Sequence, residues 1–244
     1  ININYRNQFM KNLTLGISTL LFCTAANATY IDYRHEWLGD EHRHEDRVKI
    51  GHSMQNGTYF SLEGKWRSRD GGFGENLSSK GNEVEVGYKY KATKDFVLTP
   101  SFALDSGDKD TAYKFSVKAA YNLTDDFNIG TRLRYGVRHY DNSNKPKKDN
   151  QHYWQSNFYL GYKLQDFSLS YDFEYKFNTD YPAYKGKEKD YAHNLNVSWV
   201  GNKTWVPYVE LGYVSYDDGS YVKNGQTYRD AWQWRYRVGI AYNF

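Results

Sequence analysis

The sequence predicts an all-β fold: a transmembrane, antiparallel, up-and-down β-barrel of twelve strands joined by short periplasmic turns. The strongest indication is the segment 232–244, in which every second residue is large and apolar or aromatic and the residues between them are polar or small. A period of two is the pattern of a β-strand with one apolar and one polar face. Aromatic residues at both ends of such a face are typical of strands that cross a membrane.

The composition favours a barrel over both a soluble chain and a bundle of membrane helices. Aromatic residues make up 18% of the chain and charged residues 25%, and the mean hydropathy is −0.88. The aromatic content and the regular alternation exclude disorder. No apolar run after residue 28 is long enough for a membrane helix. A barrel resolves the conflict, because only half of the residues of each strand face lipid.

The N-terminal residues predict export. Lys11 precedes an apolar run over 13–23, and Ala26-Asn-Ala28 has the pattern of a signal-peptidase site. We therefore expect residues 1–28 to comprise upstream residues and a cleaved signal peptide, and residues 29–244 to form a single barrel domain. The one cysteine lies in the apolar run, so the exported chain is expected to have no disulfide. No motif indicates a cofactor.

Twelve segments carry the alternation, and each is bounded by a turn or a charged loop. In chain order the predicted strands are 29–37, 46–54, 58–69, 81–91, 96–105, 111–122, 127–140, 151–164, 167–178, 191–200, 204–216 and 227–244. Every second connection is short and rich in turn-forming residues: 55–57, 92–95, 123–126, 165–166 and 201–203. The others are longer and charged: 38–45, 70–80, 106–110, 141–150, 179–190 and 217–226. Bacterial barrels have short periplasmic turns, longer outer loops and periplasmic termini, so this alternation fixes the orientation.

Sorting each strand by phase separates charge by face. The phase assigned to lipid is typified by 158–164 and 167–177, where alternate residues are Phe, Leu or Tyr. The opposite phase, expected to line the lumen, holds the basic residues Arg34, Arg47, Lys49, Lys65, Arg67, Arg69, Lys89, Lys91, Lys114, Lys118, Arg132, Arg134, Arg138, Lys163, Lys176, Arg235 and Arg237. The acidic residues of that phase are fewer: Asp32, Glu36, Glu63, Glu83, Glu85, Asp105, Asp172, Glu174 and Glu210. The lumen is therefore expected to be positive, although the whole chain has a formal charge of only +3.

Arginines repeated along one strand predict a track for anions. Arg132, Arg134 and Arg138 share a face of one predicted strand, where residues two apart are roughly 6.6 Å from each other. Rings or tracks of Arg and Lys select anions in a pore, and the planar guanidinium suits carboxylates because it binds two oxygens at once. Twelve strands leave room for a narrow pore, and we expect the arginines themselves to form its constriction. The alternative is that these side chains only brace the wall, paired to carboxylates such as Glu83, Glu174 or Glu210.

Several motifs resemble the oligogalacturonate-specific porin family (KdgM-type). They are Ile31-Asp-Tyr-Arg-His-Glu36, Asp46-Arg47, the Asn56-Gly57 turn, Val206-Pro-Tyr-Val-Glu-Leu-Gly212 and Tyr236-Arg-Val-Gly-Ile-Ala-Tyr-Asn-Phe244. The resemblance implies a small monomeric outer-membrane porin for acidic saccharides. Its substrate would be oligogalacturonate, another uronate or, as in one branch of the family, sialic acid. The sorted charge by itself supports only a small anion.

The expected partners follow from the barrel. Tyr242 and Phe244 resemble the C-terminal assembly signal of bacterial outer-membrane barrels, which implies contact with the barrel-assembly machinery. Outer-membrane lipid and lipopolysaccharide are expected around the wall and acidic saccharide inside it. The near-neutral charge gives no reason to expect nucleic acid.

Three alternatives remain. An outer-membrane phospholipase would need a His, a Ser and an Asn together, and His152 and Ser156 share a face from which Asn157 points away. His42 and His44 stand beside acidic residues in a predicted loop, where a solvated loop is favoured over a metal site. An adhesin barrel usually has long outer loops, and these are short. We therefore predict a channel, without enzyme activity or a metal.

Overall fold

Alternation of polar and apolar residues produces strands throughout the part of the chain that this computed structural model describes, namely residues 28–68, 72–107, 110–140, 150–180, 188–216 and 232–244. The strands are β1 (Ala28–Leu38), β2 (Arg43–Ser53), β3 (Thr58–Ser68), β4 (Leu77–Tyr88), β5 (Tyr90–Lys91), β6 (Phe96–Ser106), β7 (Asp110–Asn122), β8 (Phe127–Tyr140), β9 (Asn150–Leu164), β10 (Phe167–Asn178), β11 (Lys189–Trp199), β12 (Trp205–Ser215) and β13 (Trp232–Asn243). The predicted signal peptide, apart from Ala28, and Arg69 lie outside the described residues. No helix in the described ranges is long and apolar enough to cross a bilayer.

The strands close into one antiparallel sheet. Consecutive strands pair with each other except β4 and β5, both of which pair with β6, and β1 also pairs with β13. β4 and β5 are two parts of one barrel strand, interrupted at Lys89. The predicted twelve-stranded barrel is therefore confirmed. Closure leaves no open sheet edge, which is what allows β-structure to span lipid.

The two faces of the sheet are inverted relative to a soluble protein. On the outside, Phe115 and Leu133 are each 54% exposed and Val238 is 53% exposed. On the inside, Asn157 is 2% and Gln233 1% exposed. An apolar exterior and a polar interior are the arrangement of a membrane barrel.

Two strands, β2 and β4, begin three and four residues earlier than the sequence predicted. β2 starts at Arg43, so the connection predicted over 38–45 is only residues 39–42. Its charged residues suggested a loop, but Arg43 Nε lies 2.9 Å from Glu45 and Arg43 Nη2 lies 3.2 Å from Glu41. Ion pairs along the strand thus replace water as the partner of these charges.

The early start of β4 depends on a β-bulge. Lys65 is opposite Gly81 and Trp66 is opposite Ser79, so Lys80 has no partner in the ladder. Gly81 has φ +137°, and a Cβ there would lie 2.4 Å from the carbonyl oxygen of Ser106. The extra residue breaks the period of two, which is why the pattern could not be followed before residue 81.

Tyrosine rings lie over glycines on the inner wall. Tyr208 is paired with Gly239, where a Cβ would lie 2.3 Å from the ring, and Tyr30 is paired with Gly51 in the same way. Each ring occupies the space that a side chain on the neighbouring strand would fill. The rings therefore lie along the wall of the barrel.

Candidate functional site

The order of the strands places two basic regions opposite each other across the lumen. β1 and β8 are six strands apart in either direction around the barrel. Arg34, Arg47, Arg235 and Arg237 lie on β1, β2 and β13, whereas Lys118, Arg132, Arg134 and Arg138 lie on β7 and β8. These eight of the predicted lumen cations thus fall into two groups with different surroundings.

On the first side, which we call the paired wall, carboxylates pair with Arg47, Arg235 and Arg237 but not with Arg34. Arg237 Nε lies 2.5 Å from Glu36 Oε2 and Arg237 Nη1 lies 2.5 Å from Glu210 Oε1. Arg235 lies 3.9 Å from each of the same carboxylates. Because two acids hold two guanidinium groups, this cluster adds little net charge to the lumen.

The paired wall continues onto β2. Arg47 binds Asp32 and lies 3.4 Å from Glu63, and Lys49 Nζ lies 3.9 Å from Glu63. Arg34 stands between Arg47 and Gly239 in the ladder. Of all carboxylates in the described ranges, none lies within 4.0 Å of Arg34.

On the opposite side, Lys118, Arg132 and Arg134 form what we call the basic strip. Arg132 Nη2 and Nε donate to Asn157 Oδ1 at 2.8 and 3.2 Å. Arg134 Nε donates to Ser116 Oγ at 2.8 Å, and Lys118 Nζ lies 4.5 Å from the centre of the Tyr159 ring. Among the described residues no carboxylate approaches these three cations within 4.0 Å. The strip is held by an amide, a hydroxyl and an aromatic ring, all of which leave its charge intact.

The carboxylates of β10 bind amide side chains of β9, the strand next to the basic strip. Asn157 Nδ2 donates to Asp172 Oδ1 at 2.7 Å, and Gln155 Nε2 donates to Glu174 Oε2 at 2.7 Å. Lys176 Nζ lies 2.6 Å from the other oxygen of Glu174. Because Asn157 is almost fully buried, this network fixes the position of the Arg132 guanidinium that Asn157 binds.

A third group of charges lies at the end of the barrel that carries the longer loops. Lys65 Nζ lies 2.9 Å from Asp105, and Lys114 Nζ bridges Asp105 and Glu83 at 2.6 and 2.8 Å. Arg138 Nε lies 3.4 Å from Asp110. Of these residues, Lys65, Asp105, Asp110 and Arg138 line a cavity of about 300 Å³, together with Arg67, Lys80 and Gly107.

Lys80, like its partner Glu45, is a lumen residue that the sequence did not predict. It was assigned to a loop, but the bulge turns it inward, where its ammonium group binds Glu45. The glycine that follows it was the available signal, because a glycine at the start of a strand pattern indicates a bulge.

The remaining predicted residues lie toward the opposite, short-turn end. Lys89 Nζ donates to Ser53 Oγ at 3.2 Å and lies 5.5 Å from the centre of the Tyr59 ring. Lys163 is exposed near the end of β9. The amide of Phe244 donates to the carbonyl oxygen of Thr29 at 3.0 Å, which ties the C-terminus to the start of β1.

The residues considered for catalysis and metal binding do not assemble a site. His152 Nδ1 lies 2.6 Å from Asp180, and Asn157 is in the lumen on Arg132. His44 Nδ1 is bonded to His35 Nε2 at 3.0 Å. In the part of the chain that the structure covers, no group of three or more His, Cys, Asp or Glu side chains is arranged to hold a metal ion.

A closed barrel with an apolar exterior and a charged, polar lumen is the architecture of an outer-membrane porin. Comparison with known families identifies which one. Residues 22–244 match the model of the family described as oligogalacturonate-specific porin protein (KdgM), and the chain belongs to this family. The resemblance in the sequence is thereby confirmed.

Relatives that are named for their function include porins and channels. The oligogalacturonate-specific porin KdgM of Dickeya dadantii (strain 3937) is 34% identical over 96% of this chain and 99% of its own length. The N-acetylneuraminic acid outer membrane channel protein NanC of Escherichia coli (strain K12) is 26% identical over 96% of this chain and 99% of its own. The structure of "KdgM porin in complex with disordered oligogalacturonate" matches with a TM-score of 0.64 and 31% identity, covering 88% of this chain and 99% of that one. The predictions of an outer-membrane channel rather than an enzyme are confirmed.

Proposed function

We propose that this porin is a passive, anion-selective channel for acidic oligosaccharides of the oligogalacturonate class. The observation that carries the proposal is the basic strip, whose three cations are anchored by neutral groups. A carboxylate on a passing sugar would then supply the acidic partner that no described residue gives these cations. The preference for anions is thus supported by the separation of the basic strip from the carboxylates of the paired wall, and not by the total charge of the lumen.

The geometry of the basic strip suits the transfer of an anion from one cation to the next. Asn157 binds Arg132 through Nε and Nη2. The Nη1 group of Arg132 is left to bind a sugar carboxylate. A guanidinium binds a carboxylate through two parallel hydrogen bonds and keeps its charge at any physiological pH. Lys118 and Arg132 are directly opposite in the ladder, and Arg134 is two residues further. Adjacent sites of this kind bind well enough to admit an anion and weakly enough to release it.

The substrate class is inferred from the relatives. One is named for oligogalacturonate and another for N-acetylneuraminic acid, and both compounds are sugars with a carboxylate. The higher identity to the oligogalacturonate porin favours a uronate, and the sialic-acid channel supplies the second candidate.

We further expect the channel to act as a monomer, because each chain closes its own barrel. Outer-membrane lipid and lipopolysaccharide would surround it. Export would depend on the signal peptide, and assembly on the machinery that reads the C-terminal strand.

The test is the reversal potential of the purified, folded protein in a planar bilayer under a salt gradient, with sugar acids then added to one side. We expect anion selectivity and a current that oligogalacturonate blocks more strongly than N-acetylneuraminate. The double variant Arg132→Gln/Arg134→Gln should lose most of the preference, whereas Lys94→Met, in a short turn, should not. A folded double variant with unchanged selectivity would refute the role of the strip, and stronger block by N-acetylneuraminate would select the second candidate.

A further inference from the structure

The cavity at the long-loop end of the barrel has the composition of an anion-binding site. Four of its lining residues are basic and two are acidic: Lys65, Arg67, Lys80, Arg138, Asp105 and Asp110. Its volume of about 300 Å³ is at the lower end of the range of ligand pockets. It therefore has space for a small saccharide segment rather than a whole chain.

A backbone irregularity supplies one of the four cations. Lys80 is the extra residue of the β4 bulge, and its ladder neighbours pair around it. Only glycine fits at position 81, where φ is +137° and a Cβ would meet the backbone of Ser106 at 2.4 Å. Bulges next to binding sites redirect a side chain, and this one directs a lysine into the cavity.

The ion pairs of the cavity leave its cations able to exchange partners. Arg138 lies 3.4 Å from Asp110, and Lys65 is shared between Asp105 at 2.9 Å and Glu63 at 3.8 Å. Lys80 is 39% exposed at its side chain. Its partner Glu45 is only 8% exposed but also lies 2.9 Å from Arg43, so it stays paired when a sugar carboxylate binds Lys80. The side chains of Arg138 and Asp110 are 35% and 30% exposed, and partly exposed pairs have little net stability in water. An incoming carboxylate can therefore replace Asp110, which then accepts hydrogen bonds from sugar hydroxyls.

We infer that this cavity is a capture site for saccharide ends that carry two or more carboxylates, a conclusion that rests on the proposed function. Several cations around one small volume bind a multiply charged end with a high effective concentration, which a single carboxylate does not gain. The cavity lies on the long-loop side of the basic strip. Arg138 is on the same strand as Arg132 and Arg134, and Lys114 precedes Lys118 on β7. A captured end is delivered to the strip along those two strands.

The experiment compares block of single-channel current by trigalacturonate and by galacturonate, each added first to the loop side and then to the turn side. For Lys80→Met we expect loop-side block by trigalacturonate to weaken by about tenfold, the loss of one charge-assisted contact. Block by galacturonate and block from the turn side should change by less than about twofold. Lys94→Met is the charge-matched control, since its lysine lies in a short turn at the far end.

A second variant tests the same site in the opposite direction. Glu45→Gln removes the carboxylate that holds Lys80 and should strengthen loop-side block by trigalacturonate. If Lys80→Met does not fold, the loop-side block measured for Glu45→Gln decides whether the cavity is a capture site. Unchanged loop-side block in both variants, or equal loss for both sugars, would overturn the capture site while leaving the channel. A wild-type channel that no sugar acid blocks would instead overturn the proposed function and the capture site with it.

Discussion

Replacing Ser116 by aspartate isolates the charge of the basic strip from its shape. Ser116 Oγ accepts the Nε–H of Arg134 at 2.8 Å, and the two residues are paired across β7 and β8. Ser116→Asp places a carboxylate at this anchor, whereas Ser116→Asn places an amide of nearly the same size. The difference between the two variants is therefore one negative charge beside one guanidinium.

The magnitude follows from Coulomb's law. A sugar carboxylate about 4 Å from Arg134 would be about 7 Å from the new aspartate, since the anchor is on the far side of the guanidinium. The added repulsion is about 0.6 kcal/mol at the dielectric constant of water and about 2.4 kcal/mol at an effective value of 20. Binding of the sugar acid should then weaken by roughly three- to fiftyfold.

The assay is block of current by trigalacturonate in planar bilayers at two salt concentrations. Ser116→Asn should behave like the wild type, and Ser116→Asp should show weaker block and lower anion selectivity. The gap between the variants should narrow at high salt, because screening shortens the reach of exposed charges. Equal block by the two folded variants would show that the cargo does not contact Arg134, and the strip model would be refuted.

Further substitutions test the paired wall, the inner packing and the C-terminus. Glu210→Gln should raise anion selectivity in reversal-potential measurements, because Arg237 then keeps only one of its two carboxylates. Gly239→Ala should lower the unfolding temperature, since the new Cβ would lie 2.3 Å from the ring of Tyr208 and overpacking costs about 1–3 kcal/mol; Tyr208→Ala in the same chain should restore much of it. Deletion of Phe244 should reduce the amount of barrel in cell membranes while the refolded protein keeps its unfolding temperature; equal amounts in cells would contradict an assembly signal.

The fold was accessible from the sequence because each residue of a barrel strand has only two environments. Strands such as β8 and β10 have the predicted bounds, since lipid on one side and the lumen on the other impose a strict period of two. The prediction failed where that period is interrupted. The bulge at Lys80 shifts the phase by one residue, and the charges at the start of β2 satisfy one another instead of facing water.

The lumen-facing phase was also accessible, but the electrostatic state of each arginine was not. Arg237 and Glu36 are 201 residues apart in the chain and meet only because β13 closes on β1. Likewise, Arg132 receives its amide anchor from the next strand of the ladder. Register and closure assign these partners, and no spacing within a single strand reveals them.

The nature of the anchor should separate arginines that stabilise the barrel from those that serve the cargo. Arg237→Gln leaves Glu36 and Glu210 with only the 3.9 Å contacts to Arg235, and Glu36 is only 6% exposed, so the loss of stability should approach the 3–5 kcal/mol typical of a broken buried pair. Arg132→Gln leaves a neutral amide behind and should cost about 1 kcal/mol. Urea unfolding of the two variants in the same detergent measures the contrast. Similar losses of stability would mean that the neutral anchor is as structural as the charged one, and the division between the paired wall and the basic strip would have no functional meaning.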